Sequence, residues 1–208
     1  MRKLATIFFI SGAPVLMSFN APVSNAPSFK NEAAPVAFKV DGAKSKVAWL
    51  AKKVTGSHNG SISISGGDLQ VDGSTLKGGT FTIDTRSMTV EDIKDANGNA
   101  RLLNHLKSDD FFSVEKHPNA TFTITSAKKK SGNEYDITGN LTIKGITQPI
   151  TFPASVVVNG NQLNAKAAIT IDRTKFDIKY RSKSFFENLG DKAIYDDFTI
   201  DVELVANK

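Results

Sequence analysis

The sequence predicts an all-β domain of mainly antiparallel strands, and three observations carry that reading. From Phe38 onward, apolar and polar residues alternate with a period of two, the spacing that sends successive side chains to opposite faces of a strand. The alternating runs are short and punctuated by turn residues such as Asp72-Gly73-Ser74 and Asn159-Gly160-Asn161, which suits hairpin-joined neighbours. The alternation is also one-sided, so one face of the sheet is buried and the other is wet. Roughly eight to ten runs are present. The pattern alone fits a barrel or a sandwich.

The elements follow in chain order. Met1-Arg2-Lys3 is basic, and Leu4 to Phe19 is mostly apolar but broken by Ser11, Gly12 and Pro14, with small residues after it at Ala21 and Ala26. Residues 1–26 therefore read as a secretory signal peptide, too short and interrupted for a membrane span. Pro27 and Pro35 among Ser, Asn and Ala make 27–37 a flexible lead-in to a single domain over 38–206. Val47 and Trp49 share one strand face, as do Ile62 and Ile64, Leu69 and Val71, and Phe81 and Ile83.

Between Val90 and Pro118 the alternation stops. A short helical pattern (Leu102, Leu103, Leu106) precedes Phe111-Phe112, a pair too apolar for an idle loop, and a proline-punctuated turn leads to Phe122 and Ile124. Tyr135, Ile137, Leu141 and Ile143 then line one face, followed by Ile150 and Phe152 and by Val156 and Val158. Leu163, Ala165, Ala167, Ile169 and Ile171 form the longest clean alternation. A second interruption, Ser182 to Asp197, carries Phe185-Phe186, and Phe198, Ile200, Val202 and Leu204 close the chain.

Composition excludes several function classes. The formal charge of +5 includes Arg2 and Lys3 of the leader, so little basic excess remains for an anionic polymer. Lys128-Lys129-Lys130 is the one basic run; it precedes the turn Ser131-Gly132-Asn133 and lacks interleaved aromatics, so it reads as a solvated loop and not as a nucleic-acid site. The chain has no cysteine, hence no disulfide and no N-terminal cysteine anchor, and a domain of this size can rely on its core.

No residue is assigned to catalysis. There is no Gly-x-Ser-x-Gly elbow. Gly66-Gly67 and Gly78-Gly79 are turns without a following Lys-Ser or helix. Adjacent carboxylates at Asp109-Asp110 and Asp196-Asp197 point to opposite faces; Asp109 reads as a cap or turn residue and Asp196 as a loop residue. His58, His105 and His117 show no ligand-type spacing, so no metal is expected.

Three stretches also carry a family likeness. Asn104-His105-Leu106-Lys107-Ser108-Asp109-Asp110-Phe111-Phe112 is followed by Lys116-His117-Pro118-Asn119-Ala120-Thr121-Phe122; next comes Gly139-Asn140-Leu141-Thr142-Ile143-Lys144-Gly145, leading to Ile150-Thr151-Phe152-Pro153; last comes Phe176-Asp177-Ile178-Lys179-Tyr180, leading through Gly190-Asp191-Lys192 to Asp197-Phe198. In series, from about Phe38 to Val205, they resemble the YceI-like family of secreted polyisoprenoid-binding, lipocalin-like proteins. Where members of that family often carry Arg-Asp before the His-Leu step, this chain has Leu102 and Leu103.

The resemblance implies one antiparallel lipocalin-like β-barrel of about eight strands with a short helical insertion. It further implies a secreted or periplasmic, non-enzymatic protein holding a hydrophobic or amphiphilic, isoprenoid-like lipid, with no other cofactor and no stable membrane insertion. Trp49, Phe81, Phe122 and Ile137 are expected wall residues, joined by Leu141, Phe152, Ile169 and Phe198. Phe111, Phe112, Phe185 and Phe186 are expected gates. Ala48, Ala165, Ala167 and Gly139 would leave room inside where each occupies the inner face, and His58, Arg86, Lys179, Tyr180 and Arg181 are candidates for the mouth. Burial of an aliphatic chain contributes about 0.8 kcal/mol per CH2, so such a ligand needs no sharp polar motif. The competing reading is an envelope or stress interaction protein whose barrel is filled by side chains. A homodimer through edges or lids is compatible with either.

Overall fold

The alternating runs become strands in the computed structural model, which describes residues 34–208. They are β1 (Val36–Val40), β2 (Lys46–Lys53), β3 (Gly56–Ser61), β4 (Ser63–Asp72), β5 (Thr75–Asp84), β6 (Asn119–Lys129), β7 (Glu134–Ile143), β8 (Ile146–Asn159), β9 (Gln162–Asp172) and β10 (Ile194–Asn207), with a single helix, α1 (Ala96–Lys107), between β5 and β6. The expected leader, 1–26, and residues 27–33 of the lead-in lie outside the described residues. Val36 and Ala37 already pair with Val71 and Gln70 of β4.

Neighbouring strands are antiparallel, in the order β1-β4-β5-β6-β7-β8-β9-β10, and pairing of β1 with β10 closes the ring into a barrel of eight positions. The two further strands extend positions already present. β2 continues β1 along β10, with Val47 opposite Val202, while β3 pairs with β2 and runs into β4 through Ile62. The break between β1 and β2 is a tight turn. Asp41 donates its N–H to the Val205 carbonyl (2.8 Å), and the Ser45 hydroxyl donates to the Asp41 carbonyl (2.7 Å) while accepting from the Val205 N–H (3.1 Å). Gly42 is required there, because a Cβ would run into the Ile64 carbonyl.

The free edge of β3 is covered by the chain after β5. Thr89 N–H donates to the Ser61 carbonyl and Glu91 N–H to the Asn59 carbonyl, each at 2.9 Å. Closure and this cover leave no long strand edge open to another chain, which is the liability barrels avoid.

The two ends of the barrel differ. At the end holding the β6–β7 and β8–β9 turns, Val71, Leu76, Tyr135, Leu163 and Ala206 are almost wholly buried, and the Tyr135 hydroxyl accepts from the Leu76 N–H at 3.4 Å. These side chains plug that end. The other end receives α1, the turn after it, and the 3-10 turn at Arg173–Phe176. Asp95 caps α1 by accepting from the Gly98 N–H (2.6 Å), and Leu106 is buried while Leu102 and Leu103 pack partly against the core. The helical pattern and its leucine face are therefore what seat this helix.

One expected loop residue is a strand residue. Asp196, in the second interruption of the alternation, belongs to β10. The pairing of β10 with β2 shifts register between Ile194 and Phe198, so the period-two signal breaks there and hides the strand. Among the described residues, no helix is long and apolar enough to cross a membrane.

Candidate functional site

The register stacks the inward side chains in layers. Ile169, Ile200 and Trp49 lie side by side on β9, β10 and β2, and Ile171, Phe198 and Ala51 form the next layer toward α1. Ile137 faces Phe152 across β7 and β8, and Phe81 faces Phe122, which faces Leu141, across β5, β6 and β7. Many of these inward residues (Phe81, Phe152, Ile169, Phe198 and Ile200 among them) are only partly buried, although they point away from bulk solvent. The reason is a void. The barrel encloses a cavity of about 250 Å³ whose accessible lining is wholly apolar.

Small residues make that space. Ala154 on β8 sits opposite Ala167 on β9, and Ala165 sits opposite Val156, all lining the cavity. Two other small residues do not act this way. Ala48 is exposed on the outer face, because Trp49 takes the inward position and strand neighbours alternate. Gly139 gives its space to protein: a Cβ there would run into the Phe122 ring, so the phenyl fills that position.

The structure places Trp49, Phe81, Phe122, Ile137, Leu141, Phe152, Ile169 and Phe198 in the lining. Trp49 donates its Nε1–H to the Thr89 carbonyl (3.1 Å), which satisfies the one polar atom and leaves the indole carbons to the cavity. The rings form a connected wall: Phe81 stacks near Phe122 (6.3 Å between centroids) and Phe122 near Phe152 (5.5 Å). Phe111 and Phe112 line the α1 end, where Phe112 meets Phe198 edge-on at 6.4 Å. Phe185 and Phe186 do not belong to the lining. Their side chains are 49% and 50% exposed, carried outward by the chain before β10, so the second phenylalanine pair does not cover the cavity.

At the α1 end an aromatic cluster joins the segments that pack there. His105 contacts Phe111 (5.0 Å) and Tyr180 (4.7 Å) edge-on, and Phe111 lies 5.4 Å from Tyr180. His105 Nε2 is also 2.9 Å from Asp110 Oδ2, which fixes the imidazole. The helix-turn segment and the chain after Phe176 thus meet over the same end. Asp109 works as the turn residue expected of it, accepting from the Ser113 hydroxyl and from Lys116 Nζ (2.6 Å). Those partners hold its carboxyl below the ordinary value, Lys116 first.

The mouth candidates are engaged elsewhere. His58 binds Asp92 at 2.8 Å, Arg86 binds Asp84 at 2.8 Å, and Lys179 binds Asp177 at 2.6 Å. Arg181 lies over the Tyr180 ring at 5.1 Å. None of these residues is in the lining. Among the described residues, no three His, Asp or Glu side chains converge as metal ligands would.

Sequence reasoning missed Arg173. It is 5% exposed and belongs to the lining at the α1 end. Its guanidinium donates to the carbonyls of Ile178 (2.7 Å), Tyr195 (3.0 Å) and Ile194 (3.1 Å) and to Asp196 Oδ1 (3.3 Å). Burial pushes its pKa down, opposed by Asp196 and Asp172. One arginine therefore staples the chain before β10 onto the barrel end. A signal was present: residue 173 continues the inward phase of Leu163 through Ile171.

Comparison with known proteins agrees with this architecture. A YceI-like domain model matches residues 38–206. A UPF0312 protein of Pectobacterium atrosepticum is 34% identical over 140 residues, 62% of this chain and 70% of that one. Protein YceI of Salmonella arizonae is 42% identical over 91 residues, 40% of this chain and 47% of its own length. Among solved structures, Burkholderia cenocepacia BcnA superposes with a TM-score of 0.65 at 26% identity, covering 81% of this chain and 99% of that one. A polyisoprenoid binding domain from Saccharophagus degradans, implicated in plant cell wall breakdown, superposes with a TM-score of 0.59 at 12% identity, covering 82% and 97%; at that identity the likeness is one of fold.

Proposed function

The chain belongs to the YceI-like family, and we propose that its barrel holds a hydrophobic or amphiphilic lipid of isoprenoid type in the central cavity, as a secreted or periplasmic binding protein without catalytic activity. The observation that carries this is the wholly apolar void of about 250 Å³ inside a closed barrel. A dry, hydrocarbon-lined cavity of roughly 150 Å³ already takes a benzene molecule. The larger space here suits an aliphatic chain, and each ten buried carbons would contribute about 8 kcal/mol, the scale of micromolar affinity, without one hydrogen bond. The polyisoprenoid-binding function of the Saccharophagus degradans domain supports the ligand class. The basic-then-apolar start of the chain supports export.

In this reading selectivity comes from the length and width of the cavity. The plug around Tyr135 and Leu163 limits chain length, and the head group sits at the α1 end near Phe112 and Phe198. The filled-barrel alternative finds no support in an interior that contains so large a void.

Titration with prenyl alcohols of graded length tests the proposal. Affinity is expected to rise about fourfold per added buried carbon and then level off once the cavity is full. Affinity that ignores chain length and follows the head group alone would overturn it.

A further inference from the structure

The three family-like stretches lie far apart in the chain, yet they meet at the α1 end of the barrel. The first supplies the end of α1 and the turn after it, with Leu106, Phe111 and Phe112 in the cavity lining. The third starts at Phe176, the end of the 3-10 turn, and adds Ile178 to the same lining. The second lines the wall through Leu141 and Ile143 and then turns at Lys144-Gly145.

That turn is a two-residue hairpin between β7 and β8, closed by the pairing of Ile143 with Ile146. Both central residues have positive φ, 52° at Lys144 and 76° at Gly145, as a type I′ turn requires. Glycine suits its place, where a Cβ would come 3.0 Å from the His117 ring. Lysine does not suit its own, because a Cβ makes left-handed backbone unfavourable. The side chain supplies the reason. Lys144 Nζ donates to the Asp109 carbonyl (2.8 Å), in the turn after α1, and to the Asp177 carbonyl (3.4 Å), just past the 3-10 turn. The carboxylates of Asp109 and Asp177 are held by Lys116 and Lys179, which leaves the Lys144 ammonium to the two carbonyls.

Each of the bridged segments is ordered within itself. In the first, the N–H groups of Phe112 and Val114 donate to the Leu106 and Lys107 carbonyls (3.1 and 2.9 Å). In the second, Arg173 holds the Ile178 carbonyl, and the carbonyl of Ser182, which is 0% exposed, accepts from the Phe185 and Phe186 N–H groups (3.1 and 2.9 Å). Between the segments lie the rings of His105, Phe111 and Tyr180 and the Lys144 bridge. Rings in contact can slide, whereas a charge-assisted hydrogen bond is directional. The opposite end of the barrel is plugged by almost wholly buried side chains, so a lipid reaches the cavity past these two segments.

We propose that Lys144 is a positioning residue that clasps the two segments together and thereby sets the rate at which lipid enters and leaves the cavity. The proposal rests on the lipid-holding reading and adds to it the route and the residue that controls it. The clasp is the same with the cavity empty or filled, so it raises the barrier in both directions and leaves the equilibrium alone.

Stopped-flow exchange of retinol, a fluorescent isoprenoid, tests this on the whole chain stripped of bound lipid. Trp49, the one tryptophan, lines the cavity, and energy transfer from it reports retinol inside. Lys144→Met keeps the apolar stem and loses the donors. It should speed uptake and release alike by about tenfold, the scale of one hydrogen bond from a charged group, with affinity unchanged. Lys144→Arg keeps donors and should stay near the parent. Without lipid, the Phe112 and Val114 amides should exchange hydrogen faster in Lys144→Met, while the Leu76 amide, bonded to the Tyr135 hydroxyl at the plugged end, should not change. Retinol that binds Lys144→Met and exchanges at the parent rate overturns the clasp alone. Retinol bound by neither parent nor variant overturns the lipid-holding reading and the route with it. A Leu76 amide that speeds up as well overturns the clasp and makes Lys144 a residue of general stability.

Discussion

Filling the cavity from its own wall should separate binding from stability. Ala167 lines the void, with Ala154 on one side and Val202 on the other, so Ala167→Phe sends a phenyl ring into the space those small residues leave. A benzene fits a cavity of roughly 150 Å³, and the void is about 250 Å³, so the ring takes more than half of it. The ring displaces about four or five chain carbons, a loss of about 3–4 kcal/mol of burial. Prenol affinity should therefore fall by about 100- to 1,000-fold. Stability should hold or rise, because the ring gains contacts in a space that has none. Competition against a fluorescent polyene reads affinity, and urea unfolding reads stability. Unchanged affinity, or a stability loss beyond about 2 kcal/mol from overpacking, would refute the reasoning.

Three further expectations follow from the same geometry. Phe112→Ala removes a lining ring from its contact with Phe198 and should speed lipid release by about tenfold or more, whereas Phe186→Ala should leave release unchanged; stopped-flow transfer to acceptor vesicles measures both. Arg173→Met strips the donors from the Ile178, Ile194 and Tyr195 carbonyls and should cost about 3–5 kcal/mol in urea unfolding; a loss below about 1 kcal/mol would remove the staple. Asp109 has its pKa lowered from the ordinary 3.8, by Lys116 and then Ser113. Its contribution is thus present above that value and lost as pH falls through the folded pKa beneath it, and the melting-temperature gap between parent and Asp109→Asn should close on acidification and stay constant from pH 5 to 8.

Much of this fold was legible because one-sided alternation is a direct consequence of a sheet with one buried face. The strand runs, the helical insertion and the closed barrel implied by the family-like stretches all follow from the order of residues. The wall was legible for the same reason, since parity alone puts Trp49, Phe152 and Ile169 on the inner side. What failed was judgement from residue type. Phe185 and Phe186 look like core or gate residues, yet a turn built on Ser182 turns them outward. Arg173 looks like a surface residue, yet it follows β9 in that strand's inward phase and is buried where three carbonyls need donors. The bulge near Ile194 hid the start of β10, because a local register shift erases the only signal that alternation provides.

Native mass spectrometry of the protein purified from its own cell, followed by organic extraction, tests the lipid-holding claim most directly. A discrete added mass that partitions into solvent as an isoprenoid-type lipid, and that is lost in Ala167→Phe, is the expected result. A clean unliganded mass that persists when isoprenoid quinones and prenyl phosphates are supplied would contradict it.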